Sequence, residues 1–188
     1  MTTAADRILD AAYACFARHG LRRTTIDDIA REARVSRPTV YRYVANKEDA
    51  LRRLTESLLE QALGDARHAA DGDAPLRDRL VAVLRTKLDL TLTVWRDSPA
   101  HASELLRFDV HASPGPADRY TAAYTDLLTA MLTPAVPTDD ARDVAEVLIA
   151  LTKGLELDTT DPDRPYRLLS QGVDLITAAL PASTEENL

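Results

Sequence analysis

Apolar positions recur along this chain at intervals of three and four residues, and no stretch alternates with period two, so the pattern predicts an all-α protein without internal repeats. Ile8, Ala12, Cys15, Phe16 and His19 mark a first helix over about residues 3–19, with Thr2 or Thr3 as its cap and Gly20 as a left-handed closing residue. Thr25, with Asp28 three positions on, forms a capping-box pair that starts a second helix. Its apolar face carries Ile26, Ile29, Ala30 and Ala33. Ser36 caps a third helix, expected to run from Arg37 to Val44, and Pro38 is tolerated in its first turn because an N–H there has no intrahelical partner. Asn46 and Asp49 cap a fourth, lined by Leu51, Leu54 and Leu58 and expected to fray near Leu63 before a polar loop from Gly64 to Pro75.

The longest helix is expected next. Leu76, Leu80, Val83, Leu84, Leu88, Leu92 and Trp95 form a stripe that widens until little polar surface remains, the mark of a central helix. A short helix over about Pro99–Phe108 is isolated by the breaker Ser113-Pro114-Gly115-Pro116 and is expected to be a movable piece. Three further helices are expected, over Ala117–Leu132, Thr138–Leu157 and Pro165–Leu180, for about nine in all. The last two carry more apolar surface than one neighbour can cover: Leu169, Val173, Ile176 and Leu180 form one row, and Leu168, Leu175 and Ala179 a second. One row requires the chain's own core. The other is satisfied either by that core as well or, more simply, by a second copy, which predicts a four-helix dimer seam of Val147, Leu151, Leu169, Val173, Ile176 and Leu180. The polar, acidic segment Pro181–Leu188 is expected to be disordered.

Composition narrows the classes. With 188 residues, 45% hydrophobic and 28% charged, the chain is long enough to bury a core. No run approaches the roughly 18–20 apolar residues of a membrane span, and the start lacks a signal peptide's basic and apolar segments, so a cytoplasmic location is expected. Cys15 is the single cysteine and sits in an apolar run, which favours a buried residue over a redox sensor. The four histidines are scattered without metal-ligand spacing, and no cofactor motif is present, so neither a metal nor a cofactor is expected. Asp109 and His111 are the one pair with an acid–base look, and a loop Asp-x-His more often belongs to plain solvated surface; no nucleophile elbow or phosphate loop supports an enzyme.

The net charge of −7 argues superficially against nucleic acid, but its distribution argues for it. Residues 18–47 hold eight basic and three acidic side chains, a net +5, and the body after residue 50 is acidic. The third helix offers Arg37, Thr39, Tyr41, Arg42 and Tyr43 outward and leaves Val40 and Val44 to face its neighbour, a composition suited to a helix presented to DNA. Arg37 and Thr39, with Arg42 beside them, are the candidate base readers. In the body, Thr91, Trp95, His101, Phe108, Tyr120, Tyr124 and Met131 combine aromatic walls with few polar handles. They are either core or the lining of a pocket for a small, largely apolar or aromatic ligand.

Thr25, Ile29, Ala30, Ala33, Val35, Ser36, Tyr41, Tyr43, Lys47 and Glu48 together resemble the helix-turn-helix pattern of TetR-family transcriptional regulators. The resemblance implies a three-helix DNA-binding domain over residues 1–47 and a helical ligand-binding and dimerisation domain over 48–188. It implies contact with operator DNA at Ser36 and phosphate contacts from Thr25, Tyr41, Tyr43 and Lys47. The function it implies is a dimeric repressor released from a pseudo-palindromic operator by a small effector, with an activator or global regulator as the alternative. Two positions depart from the pattern. Arg34 stands where the family often has Gly, and a left-handed turn there costs Arg about 1 kcal/mol. Val44 replaces a usual Phe.

Overall fold

Helix starts in the first fifty residues are fixed by side chains three positions apart. Thr3 Oγ1 accepts the Asp6 amide and Asp6 returns a bond to the Thr3 amide, and Thr25 and Asp28 repeat the arrangement. Ser36 accepts the Thr39 amide at 3.3 Å, and Asn46 Oδ1 accepts the Asp49 amide at 2.7 Å. The computed structural model describes residues 3–106, 115–156 and 161–180; Phe108, Asp109, His111, the Ser113-Pro114 half of the Ser-Pro-Gly-Pro break and the tail after Leu180 lie outside them. Among the described residues there are nine α-helices and no strand: α1 Ala4–Arg23, α2 Ile26–Glu32, α3 Arg37–Tyr41, α4 Lys47–Ala70, α5 Leu76–Asp97, α6 Ala102–Leu106, α7 Pro116–Leu132, α8 Thr138–Leu155 and α9 Arg164–Ala178.

Several ends differ from the sequence expectation for identifiable reasons. Gly20 does not close α1. It takes φ 74° and ψ 163°, an extended left-handed conformation open to glycine, so the helix bends there and a further turn, Leu21–Arg23, follows. α2 ends in a Schellman motif: Arg34 has φ 55°, its amide bonds to Arg31 O and the Val35 amide to Ala30 O. α3 stops at Tyr41 rather than Val44 because the Arg42 and Tyr43 amides bond three residues back, to Thr39 O and Val40 O, and tighten the turn. α4 continues seven residues past the expected fraying point and, at 24 residues, exceeds the 22 of α5. Ala62, Ala66 and Ala70 form a buried small-residue seam that outweighs the roughly 1 kcal/mol cost of Gly64, whose own position is open to solvent.

The chain divides into two compact units, Met1–Glu60 with Thr93–Ala117, and Gln61–Leu92 with Asp118–Leu188; α4 and α5 contribute to both. In the first, Ile8, Ala12, Phe16, Ile29 and Val40 are wholly buried, and Val44, Leu51, Leu54, Val94, Ala102 and Leu105 complete the same core. α2 and α3 are therefore held on α1 by a continuous apolar surface that includes the start of α4 and the α5–α6 segment. In the second unit, Leu80, Leu84, Leu88, Tyr124, Leu128, Leu132, Leu148, Leu169 and Val173 are wholly buried. Gly172 lets α9 approach α8 so closely that a Cβ there would collide with the Leu151 side chain. No helix among the described residues is long and apolar enough to cross a membrane.

Candidate DNA-binding surface

The surface is built from the turn between α2 and α3 outward. With Val40 wholly buried and Val44 turned inward, the remaining positions of α3 must face solvent, and Ser36, Arg37, Tyr41 and Arg42 are exposed. Arg37 and Tyr41, one helical turn apart, form a unit: a guanidinium nitrogen donates to the Tyr41 hydroxyl at 3.2 Å and the guanidinium lies 5.5 Å from the ring centre. The same guanidinium reaches Asp27 of α2 at 3.3 Å, so the leading base-reading candidate is oriented by two partners before any DNA arrives. Hydrogen bonding to Tyr41, with the charge of Asp27 behind it, favours its already permanent positive state. Arg42 lies 6.0 Å from the Tyr43 ring, which is half-buried against the core.

Other candidates have work inside the fold. Ser36 and Thr39 hydroxyls bond each other at 2.8 Å while Ser36 caps α3. Thr25 donates its hydroxyl to Asp28 at 2.6 Å. That bond is the largest influence holding the Asp28 carboxyl below its ordinary range. Lys47 Nζ donates to Leu21 O at 2.9 Å and Arg22 O at 3.0 Å, leaving one N–H of the ammonium for a phosphate. Lys47 is thus a helix-end cap as well as a candidate DNA contact. Sequence reasoning did not find Asp27, nor the attachment of Ser98 and Glu104 to α1; nothing local marks either, since their partners lie 10 and about 80 positions away.

The residues gathered by sequence as a pocket divide between the units. Trp95 packs on the core of the first unit, and His101 of that unit stands beside Gly20. Thr91, Tyr120, Tyr124 and Met131 belong to the second. There Tyr124 is wholly buried, donates to Ala62 O at 2.9 Å and shares a 2.7 Å bond with Thr86. Its ring centre is 4.7 Å from that of Tyr120. Burial pushes the Tyr120 phenol strongly up, the neighbouring Tyr124 adding to it. Lys87, next to Thr86 in the chain, is buried and forms an ion pair with the half-buried Glu156. Phe108 lies outside the described residues.

The expected dimer seam needs correction. Leu169 and Val173 are wholly buried within the chain, so they face its own core and offer nothing to a partner. Leu151 is half-buried against Gly172, and Ile176 and Leu180 are half-buried. Of the expected seam Val147 is the outward member, 55% exposed, and Leu175, which that seam did not include, is 76% exposed.

A short helix with an exposed basic and hydroxylated face, set on a capped second helix and a supporting first, defines a helix-turn-helix DNA-binding regulator. Residues 8–54 match the family described as bacterial regulatory proteins, tetR family. The HTH-type transcriptional regulator BetI of Agrobacterium fabrum is 29% identical over 168 residues, 87% of this chain and 80% of that protein. The HTH-type transcriptional repressor SCO4008 of Streptomyces coelicolor is 44% identical over 59 residues, 31% of this chain and 29% of that protein. Among solved structures, a transcriptional regulator from Rhodococcus sp. RHA1 superposes with a TM-score of 0.75 at 21% identity, over 96% of this chain and 99% of that one. SmeT in its triclosan complex superposes with a TM-score of 0.68 at 23% identity, over 96% and 93%. These matches support a TetR-family transcriptional regulator, a DNA-binding protein rather than an enzyme, with the family's own segment at residues 8–54.

Proposed function

We propose that this regulator acts as a dimeric repressor that leaves a pseudo-palindromic operator when a small, largely apolar or aromatic molecule binds its second unit. The observation that carries the DNA side is the exposed Arg37–Tyr41–Asp27 arrangement: a guanidinium fixed in direction can meet the O6 and N7 acceptors of a guanine in the major groove. Thr39 and Arg42 join it as base readers, and Thr25, Ser36, Tyr41, Tyr43 and Lys47 hold backbone, with the functional boundary near residue 47. The name of SCO4008, a repressor alike over the DNA-binding segment, supports the direction of control, and the SmeT–triclosan complex supports a small-molecule effector. Tyr120, Tyr124, Thr91 and Met131 are the residues we assign to the effector. Dimerisation rests on the outward apolar row of α8 and α9, with Val147 and Leu175 at its centre and Leu151, Ile176 and Leu180 at its margin. Coupling is limited by the effector's preference between the two states, so a hundredfold preference is ~2.7 kcal/mol, and operator DNA must weaken effector binding by the same factor.

The test is Arg37→Ala on selected operator and on random DNA. Loss of about 1–3 kcal/mol confined to one base pair of each half-site is expected. Equal loss on both DNAs removes Arg37 from the base readers.

A further inference from the structure

The bend in α1 leaves backbone groups without their helical partners. A ψ of 163° at Gly20 turns the next peptide out of the helix, so the bond a continuous helix would make from the Leu21 N–H to the Ala17 carbonyl is lost. Both orphans are taken by side chains from the α5–α6 segment of the same unit. Ser98 Oγ donates to Ala17 O at 2.9 Å, and Glu104 Oε2 accepts the Leu21 N–H at 3.3 Å. Glu104 also stands 3.9 Å from Arg22 Nε. The approach is tight: a Cβ on residue 20 would lie 2.8 Å from His101 Nδ1 and 3.1 Å from Glu104 Oε2. From the C-terminal side, Lys47 takes the carbonyls of Leu21 and Arg22. Thr24 then bonds back to Gly20 O and Cys15 O, and the chain passes directly into Thr25, the cap of α2.

The turn Leu21–Arg23 therefore has no start of its own; its N-terminal cap is a carboxylate from another segment, and the exposed Arg22 and Arg23 ride on it. We propose that Glu104, assisted by Ser98, is a positioning residue for DNA binding: it holds the split in α1 and thereby sets where Arg22, Arg23 and the start of α2 stand relative to α3. The proposal rests on the reading of the first unit as the DNA-binding one.

Charge alone gives the opposite expectation. A carboxylate beside Arg22 repels phosphate, and its removal would tighten binding. Glu104→Gln and Glu104→Ala separate the two effects, since glutamine keeps an acceptor oxygen of equal reach and drops only the charge. The experiment measures dissociation constants of the full-length variants, and of Ser98→Ala, on DNA selected from a random pool by the unmutated protein. Hydrogen exchange of the Leu21, Ile29 and Val40 amides is followed in parallel. Expected are binding by Glu104→Gln within about twofold of the unmutated protein or tighter, and by Glu104→Ala about five- to tenfold weaker, the scale of one ordinary hydrogen bond. The Leu21 amide should exchange faster in Glu104→Ala while Ile29 and Val40 keep their protection, and Ser98→Ala should fall between. Equal binding by Gln and Ala variants overturns the proposal, as does a loss in Glu104→Ala matched by lost protection at Ile29 and Val40. If the unmutated protein selects no sequence, the DNA reading fails, and an unchanged Leu21 exchange rate independently shows that Glu104 holds no clamp.

Discussion

Arg34 is the one described non-glycine residue with positive φ, at 55°, and replacing it by glycine should stabilise the first unit. The left-handed conformation brings an L side chain's Cβ against its own backbone at a cost of about 1–2 kcal/mol. Glycine escapes that cost but gives back about 0.5–1 kcal/mol through the freedom it has when unfolded. The two Schellman bonds, Arg34 N–H to Arg31 O and Val35 N–H to Ala30 O, are backbone bonds and survive the change. Arg34 is exposed, so no packing is lost. The net expectation for Arg34→Gly is a gain of about 0.5–1 kcal/mol, or about 1–4 °C in midpoint for a chain of this size. Arg34→Ala removes the same charge but keeps the Cβ, and should gain nothing. Urea unfolding at fixed protein concentration, with exchange of the Ile29 and Val40 amides to assign the change to this unit, measures both variants. Equal stability of the glycine and alanine variants would mean that strain at residue 34 is not what distinguishes them, and the energetic reading of the turn would fall.

Leu175→Glu places a charge on a 76% exposed side chain, so the chain should stay folded while the dimer dissociates; light scattering that still finds a dimer, with helicity intact, would move the seam elsewhere. Val173→Glu, at a wholly buried site, should instead unfold the second unit. Acid should loosen the first unit through its caps. The Thr3 amide, the Thr25 hydroxyl and the Ala45 amide are the largest influences holding Asp6, Asp28 and Asp49 below their ordinary 3.8. Their contribution is full above that value and lost as pH falls through the lower folded-state values. Asp28→Asn should accordingly flatten the decline of stability below pH 3.8, and an unchanged profile would show that the Thr25–Asp28 cap carries no linkage.

Features set by neighbours in sequence were legible, and those set by distant partners were not. Thr25–Asp28, Ser36 and Asn46–Asp49 announce helix starts because a cap needs only residues three apart. The periodicity of Ile29, Val40 and Phe16 likewise identified the core of the DNA-binding unit. Gly20 looked like a helix end because glycine usually is one; that it is a bend depends on Ser98, His101 and Glu104, which no local pattern connects to it. Gly64 suggested a loop because the burial of Ala62, Ala66 and Ala70 is decided by other helices. In α9, spacing revealed two apolar rows but not which one faces inward: Leu169 and Val173 fill the core, and Leu175 is left outside. Lys47 matched a phosphate-contact position, and its second duty at the Leu21 and Arg22 carbonyls is a tertiary fact. Trp95 and Tyr124, grouped by their aromatic character, fall in separate units.

In the proposed function two copies of the Arg37-bearing helix read DNA together. Selection of bound sequences from a random pool by the full-length protein, followed by footprinting, tests it most directly. The enriched sequence should be a pseudo-palindrome whose half-site centres lie about 34–36 Å apart or slightly more, one turn of the duplex, with Arg37→Ala relaxing one base pair in each half. Enrichment of no sequence, or of a single half-site without its symmetric mate, would contradict it.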